Sequence, residues 1–172
     1  MSTAPSIRQS TPNDRAKLKE IIDLSFPRFF RFFASHSVDS EEGKILVSES
    51  QGVVVGFAKL IEFHVGSGKY GCILWLAVYP QNRRRGVAAG LVKAGVECLR
   101  TQGSKLIFAS VQRRNKASLA TFSREGFRRM GFLGLWRIFG FRVFSFYRKI
   151  WYAPGEIVLM QDSFKTENKL FC

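Results

Sequence analysis

Apolar positions along this chain switch repeatedly between helical and strand spacing, which predicts alternating α and β elements. A short strand covers residues 7–10. Thr11 and Pro12 then open a helix, with threonine at the cap and proline at the first position, where an N–H is not needed. Leu18, Ile21, Ile22 and Phe26 form its buried stripe. A second helical stretch, rich in Phe and Arg, runs over about 27–37. Residues 44–50 and 53–65 read as strands joined at Gln51-Gly52, and the turn 66–69 leads to a strand over 70–78. The helix 86–102 turns Ala88, Leu91, Val92, Val96 and Leu99 toward the sheet, and a strand over 105–111 follows. From 133 to 152 nearly every position is apolar or basic, so the phase fits helix and strand alike. A strand over 155–161 ends the pattern.

The segment 76–90 reads Leu-Ala-Val-Tyr-Pro-Gln-Asn-Arg-Arg-Arg-Gly-Val-Ala-Ala-Gly: an apolar strand, a basic loop, and a helix whose first turn is small. The first N–H groups of a helix lack intrahelical partners and carry the positive end of its dipole. Small residues at Gly86, Ala88 and Ala89 let a diphosphate approach that backbone, beside Arg83, Arg84 and Arg85. No Gly-Lys-Ser/Thr follows, which excludes a P-loop, and one glycine before the helix excludes G-x-G-x-x-G. The plainer alternative is an ordinary strand–turn–helix with a solvated loop.

A second block covers 115–127, Asn-Lys-Ala-Ser-Leu-Ala-Thr-Phe-Ser-Arg-Glu-Gly-Phe, after the strand 105–111. Asn115 suits a helix cap, Leu119 and Phe122 share a face, and Gly126 suits the residue after the helix. Arg83-x-x-Gly86-x-Ala88 resembles the Arg/Gln-x-x-Gly-x-Gly/Ala signature of the GCN5-related N-acetyltransferases. Asn115-x-x-Ser118, Phe122 and Gly126-Phe127 are similar to that family's second motif, in the same order and spacing. The resemblance is most specific over about 53–132.

The resemblance implies an α/β fold: a mixed, twisted sheet of six to seven strands flanked by about four helices. Two parallel strands splay apart there to form the acyl-coenzyme A cleft. It implies that Leu76, Ala77 and Val78 offer backbone to the pantetheine arm and thioester. Arg83, Arg84, Arg85, Gly86, Val87, Ala88 and Ala89 belong to the pyrophosphate loop, Asn115 and Ser118 to the pantetheine motif, and Phe122 lies near the sulfur. The activity implied is transfer of an acetyl group from acetyl-CoA to a primary amine, within a ternary complex.

Proton handling departs from the family pattern. A tyrosine that protonates the leaving thiolate is common where this chain has Phe122. The glutamate that accepts the amine proton is replaced by Ser110, or by Cys72 where histone-type members carry it. Ser110 with a water, Glu62, His64, Tyr147 and Tyr152 remain as candidates. A non-catalytic acyl-CoA sensor or nucleic-acid-associated module is the alternative from another class.

At 172 residues the chain is read as one domain, with 133–152 as an insertion or elaborated hairpin. The net charge, 27 basic minus 13 acidic residues, is +14, more than coenzyme A phosphates require. Arginines alternate with aromatics over 25–33 and again over 133–152. Such segments complete a core and a homodimer interface, stack on nucleic acid, or lie on an anionic membrane. Cys72, Cys98 and Cys172 are odd in number and lack metal-ligand spacing, so no metal is expected. With no signal-like start and no long apolar run, a reduced cytoplasmic protein is expected. The acceptor, protein or small molecule, is not named by any motif.

Overall fold

The structure is a computed structural model that describes residues 5–162; Cys172 lies outside them. The described residues form two compact units: 5–61 with 75–95, and 62–74 with 96–162. Among the described residues, seven strands follow the order β1-β2-β3-β4-β5-β7-β6 in a mixed sheet.

The first unit holds β1 (Ser6–Gln9), α1 (Arg15–Ser25), α2 (Arg28–Asp39), β2 (Lys44–Ser50) and most of β3 (Val53–Val65). It also holds the end of β4 (Gly68–Val78) and the start of α3 (Val87–Thr101). β1, β2 and β3 pair antiparallel, with Ile7 opposite Ser48 and Val47 opposite Phe57. Gln51 and Gly52 both take positive φ at the β2–β3 turn, 51° and 75°, which glycine adopts without a Cβ clash. Leu18, Ile21 and Ile22 of α1 pack with Ala34 and Val38 of α2 against Val47 and Phe57. Phe26 and Phe30 approach the Trp75 ring edge-on, with centroids 5.4 and 6.4 Å away. On α3 the inner positions are Val87, Leu91, Val92, Val96 and Leu99, whereas Ala88 is only half-buried. The sequence places Ala88 inward; starting the helix at Val87 makes the bulkier residue the one to bury. Lys59 is also buried, its Nζ donating to the Ser40 carbonyl at 3.2 Å, and burial pushes its pKa down.

One ion-pair network pins the chain's start. Arg8 donates two bonds to the Asp14 carboxylate, 2.7 and 3.0 Å, and a third to Glu49 at 2.8 Å. Thr11 N–H also donates to Asp14, at 2.7 Å, closing the turn before α1. The Arg8 guanidinium holds this buried carboxyl well below the usual carboxylate range. With its pKa lowered by folding, Asp14 contributes stability in full above the unfolded carboxylate pKa. That stability is lost as pH falls below about 4, toward the folded value. Asp14→Asn is expected to destabilise the protein by about 1–3 kcal/mol at pH 7. Urea unfolding should show the gap between parent and variant closing as the pH falls to about 2.

The second unit contains the β3–β4 turn, the rest of α3, β5 (Leu106–Gln112), α4 (Lys116–Arg124) and β6 (Arg128–Met130). It ends with α5 (Phe132–Phe139), α6 (Val143–Lys149) and β7 (Glu156–Asp162). β4 and β5 pair in parallel over Gly71–Ile73 and Ile107–Ala109, while β7 runs antiparallel between β5 and β6. The segment left ambiguous by its sequence is helical, forming α5 and α6. Leu135, Phe139, Val143, Phe146 and Ile150 are buried, a spacing of three and four residues. Their rings complete the core: Phe146 lies 4.7 Å from Phe108 and 4.5 Å from Phe139, and Phe139 lies 5.1 Å from Tyr70. Among the described residues, no helix is long and apolar enough to cross a membrane.

Candidate active site

The loop after β4 is built to expose backbone N–H groups. Tyr79 N–H donates to the Val55 carbonyl at 2.8 Å, a single turn follows over Pro80–Asn82, and the chain then bends through two left-handed residues. Arg84 has φ 62° and Gly86 φ 79°. Gly90 N–H bonds the Gly86 carbonyl at 3.0 Å, so the N–H groups of Val87, Ala88 and Ala89 form the open first turn of α3. A Cβ added to Gly86 would meet nothing within 4 Å, and Arg84, Arg85 and Gly86 are exposed. The space over this backbone suits a diphosphate, which the helix dipole and two arginines would stabilise.

Arg83 is engaged differently from its neighbours. Its Nε donates to the Val78 carbonyl at 3.2 Å and its Nη2 to Ser25 Oγ at 3.4 Å. Ser25 Oγ also donates to Val78 O at 3.4 Å. Arg83 therefore clamps the end of β4, and the Val78 carbonyl is already occupied. Leu76 and Ala77 keep the strand conformation that backbone pairing with a ligand requires.

In the second unit, Asn115 Oδ1 accepts from Ser118 N–H at 3.1 Å and caps α4. Gly126, at φ 85°, ends the helix, with Phe127 N–H bonded to the Phe122 carbonyl at 3.0 Å. Phe122 is only 3% exposed and packs edge-on against Phe127, with centroids 5.0 Å apart. A hydroxyl there would enter apolar surroundings. Phe122→Tyr is expected to lower stability by about 1–2 kcal/mol, without raising turnover. Thermal unfolding and steady-state rates check this; faster turnover would place the ring edge at the sulfur.

Ser110 has a partner that the sequence does not announce. Its Oγ donates to Glu156 Oε2 at 2.5 Å, and Ala153 N–H donates to the same oxygen at 3.0 Å. Glu156 opens β7 opposite Gln112, and its charge adds to burial in pushing up the thiol of the fully buried Cys72. Tyr152 Oη donates to the Glu156 carbonyl at 3.3 Å, and its ring centroid lies 4.7 Å from that of Tyr147. Burial, followed by Tyr152, pushes the Tyr147 phenol up, which favours its neutral form. Of the other candidates, Glu62 is ion-paired with Lys69 at 2.8 Å and His64 is exposed. The structure thus bonds Ser110 to a carboxylate, places Tyr152 on that residue's backbone carbonyl with Tyr147 beside it, and leaves Glu62 committed elsewhere. A glutamate after Pro154-Gly155 is a weak signal in the sequence. Only the β5–β7 register makes it a neighbour of Ser110. Among the described residues, no cluster of His, Cys, Asp and Glu is arranged to hold a metal.

The architecture is shared with solved acetyltransferases. A GNAT-family protein from Desulfovibrio desulfuricans superposes with a TM-score of 0.72 at 17% identity, over 93% of this chain and 99% of its own. The PaiA N-acetyltransferase of Thermoplasma acidophilum, solved with coenzyme A, gives 0.69 at 12% identity, over 93% and 99%. The ribosomal-protein-S18-alanine N-acetyltransferase of Escherichia coli gives 0.64 at 18% identity, over 92% and 93%. At these identities the likeness establishes the fold alone. No curated protein sequence matches the chain. The family model described as Acetyltransferase (GNAT) family matches residues 13–127, which contain both motif blocks. The chain belongs to the GNAT acetyltransferase family, whose cofactor is acetyl-CoA.

Proposed function

We propose that this protein is an N-acetyltransferase that passes the acetyl group of acetyl-CoA to a primary amine by direct attack. The observation that carries this reading is the open α3 N-terminus at Gly86, flanked by exposed Arg84 and Arg85, in a chain of this family. In this reading Arg84, Arg85, Gly86, Val87, Ala88 and Ala89 hold the pyrophosphate. Leu76 and Ala77 pair by backbone with the pantetheine arm, and the Asn115–Ser118 turn contributes to binding it. Arg83 and Val78 shape the loop from behind rather than touch the ligand.

Bound acetyl-CoA supplies an electrophilic thioester carbonyl. The amine forms the C–N bond as the C–S bond breaks, and one proton must leave the nitrogen. Glu156 is the proposed acceptor, directly or through one water, with Ser110 and Ala153 N–H fixing its carboxylate. The departing thiolate takes its proton from solvent, since Phe122 has none to give. The buried phenylalanine also favours the second reading, a protein that binds acyl-CoA without turning it over.

The two readings separate in a thiol-release assay with acetyl-CoA and a panel of amines: peptides with free N-termini, lysine peptides and small polyamines. Amine-dependent release supports the transferase, whereas tight binding without release for any acceptor leaves the sensor. A net charge of +14 favours an acidic or phosphate-bearing acceptor. A cytoplasmic location, as expected of a reduced protein, belongs to the same proposal; Cys72 and Cys98 are free thiols.

A further inference from the structure

The surface formed by α5, α6 and the turn between them is not explained by acetyl transfer. While its inner face carries Phe139 and Phe146, its outer face leaves Leu133, Phe141 and Phe144 exposed, at 75%, 84% and 65%. Phe132 and Phe141 flank Trp136, with ring centroids 5.7 and 4.9 Å away, so part of this surface is a continuous aromatic patch. From Gly126 to Gly155 there is no aspartate or glutamate, while Arg137, Arg148 and Lys149 are exposed among the apolar groups.

We propose that this face binds the surface of an anionic lipid bilayer. Helices that lie in the interface bury phenylalanine and leucine at the boundary of the headgroups and place cations on lipid phosphates, which is the composition found here. A second copy of the chain fits less well. A two-fold interface would set cation against cation with no carboxylate from 126 to 155 to compensate. A nucleic acid would use the flat rings, but it offers nothing to Leu133 and Ile138, the aliphatic part of the exposed surface. This inference does not depend on the acceptor or on catalysis.

The test is flotation of the purified protein with vesicles of phosphatidylcholine, alone or with about 30% phosphatidylserine. Binding is expected with the anionic vesicles only, weakening as salt rises. Phe141→Ser with Phe144→Ser should weaken it about tenfold. Arg137→Gln, Arg148→Gln and Lys149→Gln together should weaken it by roughly fivefold per charge. Lys44→Gln with Lys93→Gln, which removes exposed charge elsewhere, should leave it unchanged. Unaltered thermal unfolding and acetyl-CoA affinity show that the variants are folded. If the double phenylalanine variant fails that control, Phe141→Ser alone replaces it. Three results overturn the proposal. They are no binding to anionic vesicles, binding indifferent to both sets of substitutions, or a solution dimer or RNA complex that depends on Phe141 and Phe144 while vesicles are ignored.

Discussion

Gly86→Asp is expected to weaken acetyl-CoA binding by at least about a hundredfold, a loss of roughly 2.7 kcal/mol. Two effects add. The residue sits at φ 79°, where a Cβ is strained, although aspartate tolerates this region better than most side chains. The larger effect is electrostatic: a carboxylate at the N-terminus of α3 would neutralise the field that receives the diphosphate, and would repel it. The fold should survive, because a Cβ at this point meets no protein atom within 4 Å. Gly86→Ala separates the contributions, since it adds the β-carbon without the charge. Calorimetric titration of acetyl-CoA should show strong binding in the parent, an intermediate loss for alanine, and none measurable for aspartate. Equal affinity for all three proteins would mean that the diphosphate is held elsewhere.

The legible parts of this protein are those governed by local rules. The strands Lys44–Ser50 and Val53–Val65 fall where the apolar alternation and the Gln51-Gly52 turn put them. The stripe Leu18, Ile21, Ile22 is buried as its spacing demands. The nest around Gly86 was equally open to reading, since a helix N-terminus made of small residues advertises itself. The segment 133–152 was not, for a physical reason. Aromatic residues fill both core and exposed positions there, so residue type does not say which rings face inward. Only the structure separates buried Phe139 and Phe146 from exposed Phe141 and Phe144. Arg83 shows another limit. It belongs to the signature by position, but its bonds to Val78 and Ser25 are long-range or depend on loop shape. Glu156 is the extreme case, since its place beside Ser110 comes from a strand register set across a segment whose conformation the sequence leaves open.

Glu156→Gln is expected to lower kcat by about a hundredfold to a thousandfold while leaving the affinity for acetyl-CoA within about twofold. Glutamine is the informative replacement because its carbonyl oxygen can still accept from Ser110 Oγ and Ala153 N–H. The start of β7 is thereby retained, and only the basicity is removed. Ser110→Ala asks a separate question. It leaves the carboxylate but removes one of the two bonds that aim it, so a smaller fall in kcat is expected, with little change in KM for acetyl-CoA. If Ser110 acts only through Glu156, the double variant should be no slower than Glu156→Gln alone, because the two residues then form one device. Raising the pH should narrow the gap between Glu156→Gln and the parent, since hydroxide increasingly takes the one proton that the nitrogen sheds as the amide forms. A Glu156→Gln protein that turns over within a few-fold of the parent at neutral pH would assign the carboxylate to the turn at Ala153. The proton on nitrogen would then leave to solvent alone. The family's two carboxylate positions, at Ser110 and at Cys72, lie on the neighbouring parallel strands β5 and β4 in this protein. Glu156 bonds the first and adds to the burial that pushes up the thiol of the second, so in the proposed mechanism a third strand supplies the missing group.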